Sequence, residues 1–193
     1  MYECITFTIK GIVPLLMHSA KLADPLSPYS QGMRKITNKK AKDRTDDDLL
    51  ELARLEWFGG LYYDAEKGPI IPGVNIEAML NRAARAQRKG KTAQAGLMSD
   101  DDWALQYEGT RDADQMWESG KFRDTRPAKP QGKGTVMRTR PIFRNWGVTF
   151  KVMFDTEMMN RKQIVELVEH AGRYVGLCDY LPRFGRFEVV KAE

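Results

Sequence analysis

Trp146-Gly147-Val148-Thr149-Phe150-Lys151-Val152-Met153-Phe154-Asp155 alternates in polarity along its length. Successive side chains of an extended strand point to opposite faces. Trp146, Val148, Phe150, Val152 and Phe154 therefore share one apolar face, and the stretch reads as a half-buried strand. A second alternation opens the chain. From Tyr2 to Val13, Tyr2, Cys4, Ile5, Phe7, Ile9 and Ile12 are set against Glu3, Thr6, Thr8 and Lys10, and Pro14 ends the run. Downstream of the central strand, Asn160 precedes a helical pattern of Ile164, Val165, Leu167, Val168 and Ala171. Gly172 then marks a point where another backbone comes close, and Phe184 to Val190 forms a last strand.

Between the outer strands, Thr45 followed by Asp46, Asp47 and Asp48 is a helix start: a capping hydroxyl, then acids over the positive end of the dipole. Leu49, Leu52, Ala53 and Leu55 to Phe58 supply its apolar face, and Gly59-Gly60 stops it. Leu61 to Asp64 and Pro69 to Ile71 flank a turn and predict a small hairpin. A second helix is expected from about Asn75 to Lys89, with Ile76, Met79, Leu80 and Ala83 at helical spacing. Trp103 to Tyr107 reads as a short strand, Arg126 to Gly134 as a flexible finger, and Thr135 to Phe143 as a basic segment before the central strand. With insertions removed, the order is βαββαβ. The expectation is an α+β, ferredoxin-like or RRM-like core in a single domain over 1–193, with a basic loop insertion at 14–44 and a finger-like insertion at 92–134.

A length of 193 residues with 42% hydrophobic side chains is enough for one good core and argues against global disorder. No run approaches the ~20 apolar residues of a membrane helix, and the first residues lack a signal organisation. A cytoplasmic protein without membrane partners is expected. Cys4 and Cys178 read as two buried free thiols of a reducing compartment. With His18 and His170 they make no zinc spacing, so neither metal nor cofactor is expected. No Walker pattern, dinucleotide fingerprint or nucleophile–base pair is present.

The informative feature is where the charge sits. Lys and Arg number 31 against 26 acids, a modest +5, but the cations cluster. Arg34, Lys35, Lys39, Lys40, Lys42 and Arg44 face a single acid, Asp43, in what reads as an exposed loop suited to phosphate contacts. Arg82, Arg85, Arg88 and Lys89 lie along one side of the second helix. Like charges at that spacing repel, so the stripe points to an anionic partner unless Asp100 to Asp102 pair with it. Arg138 and Arg140 share a strand face, near Arg144 and the aromatic Phe143 and Trp146, which supply either stacking or core packing. His18, Asp179 and Arg183 complete the candidates. His18 reads as a loop residue, and Asp179 with Arg183 as either a phosphate-positioning pair or a local ion pair.

Two segments taken together carry a resemblance. Pro69-Ile70-Ile71-Pro72-Gly73-Val74-Asn75-Ile76-Glu77-Ala78-Met79-Leu80-Asn81-Arg82 runs from a hairpin through Ile-Pro-Gly into a helix with a basic residue. Gly176-Leu177-Cys178-Asp179-Tyr180-Leu181-Pro182-Arg183-Phe184-Gly185-Arg186-Phe187-Glu188-Val189 is a glycine-containing loop running into a strand. In this order they resemble the RAMP superfamily, the ferredoxin-like RNA-binding proteins that form the backbone of CRISPR effector complexes, and especially its short phage-encoded members. The resemblance implies a non-catalytic binder of single-stranded RNA or DNA that self-associates along the strand, with CRISPR effector proteins as further partners. The alternatives are a phage protein that mimics a backbone subunit and interferes with effector assembly, and an RNA-cleaving member using His18 or Asp24. In some members an acid after the first strand cleaves RNA. Asp24 occupies that region beside Pro25 and without a second acid, so catalysis is not carried over to it.

Overall fold

The two alternating stretches pair with each other. In the computed structural model, which describes residues 1–128 and 134–193, Tyr2 to Lys10 run antiparallel to Gly147 to Asp155. The elements in chain order are β1 (Tyr2–Gly11), β2 (Leu15–Leu16), α1 (Pro28–Thr37), α2 (Asp46–Gly60), β3 (Tyr63–Asp64), β4 (Gly68–Pro72), α3 (Gly73–Ala86) and α4 (Gly90–Gly96). They continue with β5 (Leu97–Met98), β6 (Asp102–Gln106), α5 (Ala113–Ser119), β7 (Arg123–Ala128), β8 (Val136–Phe143), β9 (Gly147–Asp155), α6 (Arg161–His170) and β10 (Phe187–Ala192). Helices and antiparallel strands are both well represented, an α+β composition. Where a single domain is expected, the chain divides into two compact units.

The first unit comprises residues 1–16, 63–108 and 143–193. Its sheet has the order β10-β1-β9-β6-β4-β3, with β5 also paired to β9. Register explains its core. Phe7 sits opposite Phe150, their rings stacked at 5.6 Å, and Ile5 and Ile9 face Val152 and Val148. These side chains are buried, while Thr6, Thr8 and Thr149 are half-buried and Lys10 and Lys151 exposed on the other face. The covering helices α3 and α6 pack on each other through buried Ile76, Met79, Leu80, Ala83, Ile164, Leu167 and Val168. Asn160 caps α6 as expected, in a reciprocal pair of hydrogen bonds with Gln163. Gly172 follows α6 in a wider turn, and a Cβ there would overlap the carbonyl oxygen of Phe187.

Three expectations need correcting in this unit. Residues 92–108, expected in the finger-like insertion, supply β5 and β6, and β6 lies within the sheet between β9 and β4. The short strand expected at Trp103 to Tyr107 is present as Asp102–Gln106; its place inside the sheet comes from Leu105, buried opposite Val148, a contact that lies beyond any local pattern. The last strand starts at Phe187, because Gly185 at φ +71° turns the chain before pairing begins. Cys4 is exposed: alternation gives the inward position to Ile5 and turns Cys4 out with Thr6.

The second unit comprises residues 17–62 and 109–142. The expected loop at 14–44 is largely helical. Pro28 opens α1, where a missing N–H costs nothing. Ile36 is buried, and Gly32 lies so close to α2 that a Cβ would stand 2.9 Å from a Leu55 methyl. Tyr29, Met33 and Ile36 fall at i, i+4 and i+7, an apolar edge that the density of lysines masks in the sequence. Helix α2 begins as predicted, with Thr45 and Asp48 capping each other. Lys39 hydrogen-bonds Asp48 at 2.7 Å and, with the Thr45 N–H, holds its carboxyl below the usual value. Strands β7 and β8 form a hairpin, and the Trp57 indole donates to the Phe122 carbonyl at 2.8 Å. Lys129 to Lys133, part of the expected finger, lie outside the described residues. Among the described residues no helix is long and apolar enough to cross a membrane.

Candidate nucleic-acid interface

Strand β4 runs directly into α3 at Pro72-Gly73, and burial of Ile76, Met79, Leu80, Ala83 and Ala84 fixes which side of the helix faces out. That side presents Arg82 and Arg85. The N–H groups of Gln87 and Lys89 both donate to the Ala84 carbonyl and close the helix end. Arg88 stands there at φ +61°, in the left-handed region, and the chain turns into α4. Arg82, Arg85, Arg88, Lys89 and Lys91 are all exposed. None makes an ion pair among the described residues.

The acids that follow in sequence do not neutralise this stripe. Asp101 pairs with Lys67 at 3.3 Å, and its carboxyl is held below the usual range by the Asp102 N–H and then by the Lys67 ammonium. Beside the end of α3 lies a cleft of about 460 Å³ lined by Arg85, Arg88, Gly90, Lys91, Thr92 and Gln94. Lys91, Thr92 and Gln94 were not among the candidates read from the sequence. Gly90 ends the expected helix there, and the turn that brings α4 back depends on one left-handed residue that no spacing rule reveals.

The two motif segments meet. A pocket of about 90 Å³ between α3 and the C-terminal loop is lined by residues of both, including Asn75, Arg82, Gly176 and Cys178. The loop holds positive φ at Gly176, Cys178, Tyr180 and Gly185, and is tied down by backbone bonds that include Leu177 N–H to Gly185 O, Asp179 N–H to Leu16 O, and Gly185 N–H to Pro14 O. Burial pushes the Cys178 thiol up to about 12, with the Asn75 amide 3.7 Å away opposing the rise, so this sulfur is an inert packing group. Arg183 is exposed on the loop and Asp179 half-buried.

The remaining candidates have other surroundings. In the second unit Lys35, Lys40 and Lys42 are exposed without an ion pair among the described residues. Lys39 is held by Asp48, and Arg44 donates to the Thr37 carbonyl at 2.7 Å. Arg138 donates to the buried Glu56 carboxylate, which also accepts the Thr139 N–H at 2.8 Å, so its charge is compensated. Arg140 is half-buried and Arg144 exposed. Phe143 is 1% exposed against Tyr107 and offers no ring to a base, and Trp146 is buried with its indole donating to the Val13 carbonyl at 2.8 Å. His18 is exposed in the second unit, with its carbonyl accepting from the Tyr62 hydroxyl. Among the described residues no group of three His, Cys, Asp or Glu side chains stands ready to hold a metal ion.

The chain matches no family model, and no curated protein matches it in sequence. Its fold is similar to that of a chain in the cryo-EM structure of the Type III-B Cmr-beta bound to cognate target RNA, with a TM-score of 0.54 and 11% sequence identity. The likeness covers 100% of this chain, which spans 60% of the length of the chain it matches.

Proposed function

We propose that this protein is a non-catalytic single-stranded nucleic-acid-binding protein on the ferredoxin-like plan of the RAMP superfamily. Support for that plan comes from the first and last strands lying side by side with β9 on the other flank of β1, and from helices α3 and α6 packing on each other. The likeness to a chain from an RNA-bound CRISPR assembly agrees with it. The observation that carries the reading is the run of five exposed cations from Arg82 to Lys91 with no carboxylate engaged to them among the described residues. Such a run repels itself in the free protein and is relieved by a polyanion, whose condensed counterions are released on contact. The same chemistry leaves base identity unread, because phosphate contacts carry no sequence information. Self-association along the strand and the exposed lysines of residues 35–42 extend the same reading.

Anisotropy titrations with unstructured RNA and DNA single strands at low and moderate salt test it. Binding that weakens with salt and with the Arg82→Glu/Arg85→Glu pair is the expected result. No binding to any strand at low salt rules the reading out. A second reading, association with CRISPR effector proteins, is favoured by the likeness to the Cmr-beta chain. Co-precipitation with such proteins that survives nuclease treatment separates the two.

A further inference from the structure

The cleft beside α3 holds more positive charge than one internal phosphate needs. Arg85, Arg88 and Lys91 converge on it, Thr92 and Gln94 add neutral donors, and among the described residues no carboxylate lines it. A cation in the last turn of a helix is ordinary, since it complements the dipole; that accounts for Arg85. It does not account for Arg88 and Lys91, which stand beyond the helix end. Arg88 takes a left-handed conformation that a residue with a Cβ enters at a cost, and that turn carries Lys91 round to the side of Arg85. Gly90 leaves room for the same arginine: a Cβ there would stand 2.6 Å from Arg85 Cγ.

We infer that this cleft binds the terminal phosphomonoester of a single strand. The inference rests on the nucleic-acid reading above and gives its basic surface a ligand class. A terminal monoester carries about −1.5 to −2 charge at neutral pH and three acceptor oxygens. An internal diester carries one charge and exposes two free oxygens. Three convergent cations with a hydroxyl and an amide match the monoester, and about 460 Å³ leaves room for the end nucleotide as well.

The test compares strands of one sequence, labelled internally, that carry a 5′-phosphate, a 3′-phosphate or hydroxyls at both ends, with inorganic phosphate as competitor. One phosphorylated end is expected to bind about tenfold more tightly than the hydroxyl strand. The Arg88→Gly/Lys91→Gln double variant brings that ratio close to one. Arg88→Gly removes the charge while easing the positive φ, and a melting curve verifies that the variant folds. Equal affinity for the three strands overturns the site and leaves strand binding standing; no binding by any strand removes both. A preference that persists in the double variant places the end elsewhere and overturns the assignment. So does competition by inorganic phosphate at the same concentrations as the phosphorylated strand, which marks a free-anion site.

Discussion

Glu56 shows how much of a site a single residue can decide. Its carboxylate is 5% exposed, yet it sits on α2 with two donors, the Thr139 N–H and the Arg138 guanidinium. In sequence it is one of several acids in an ordinary helix. Its partners lie 82 and 83 residues away, so no local pattern could have withdrawn Arg138 from the cations available to a ligand. By contrast the Thr45–Asp48 cap was legible, because both partners lie within one turn and the hydroxyl-then-acid spacing has one physical use. Glu56→Ala leaves the Thr139 N–H buried without its acceptor. Arg138, with a 40% exposed side chain, regains water, so most of the loss comes from the amide. The cost is expected at roughly 1–3 kcal/mol in urea unfolding. An unchanged midpoint would mean that the amide finds water and that the carboxylate holds nothing together.

Among elements, those written by alternation or by capping were readable, and those written by long-range contact were not. β1, β9 and α6 each carry enough periodic residues to define a face. β6 was readable as a short strand at Trp103 to Tyr107, but its seat within the sheet is set by Leu105 against β9 and was not. Helix α1 was obscured differently: its polar side is so rich in lysine and arginine that its three apolar positions read as noise in a loop. Gly172 lies between these cases. A glycine after a helical run signals close approach, but the approaching group, the Phe187 carbonyl where β10 begins, is visible only in the fold. Gly172→Ala forces the turn after α6 away from β10. The expected loss is about 1–3 kcal/mol, because the obstruction is backbone and cannot rotate aside as a flexible side chain would. Thermal unfolding of the variant measures it. A melting curve that overlays the wild type would show that the two segments separate freely and that the close approach has no role in seating the last strand.

Across the whole molecule, the net charge of +5 says little, and the distribution of acids says more. Asp48, Asp101, Asp114, Asp155 and Glu56 each engage a cation or the amino terminus, and among the described residues none of them engages a cation of the run Arg82 to Lys91. A surface whose cations are already paired binds a polyanion only by exchanging one carboxylate for another. A surface with unpaired cations binds it with net release of counterions. The two cases differ in salt dependence more than in affinity at any one salt concentration. For single strands, each neutralised phosphate contributes about −0.7 to the slope of log affinity against log salt, so four or five contacts give about −3. Neutralising Arg82, Arg85 and Lys89 to glutamine is expected to reduce the magnitude of that slope by about 2, at three contacts removed. Lys67→Gln, which takes away a cation already paired to Asp101, leaves it unchanged. If the triple variant weakens binding without altering the slope, these side chains act through the fold and not through phosphate contact. If Lys67→Gln alters it as strongly, ion pairing in the free protein does not decide which cations meet the strand.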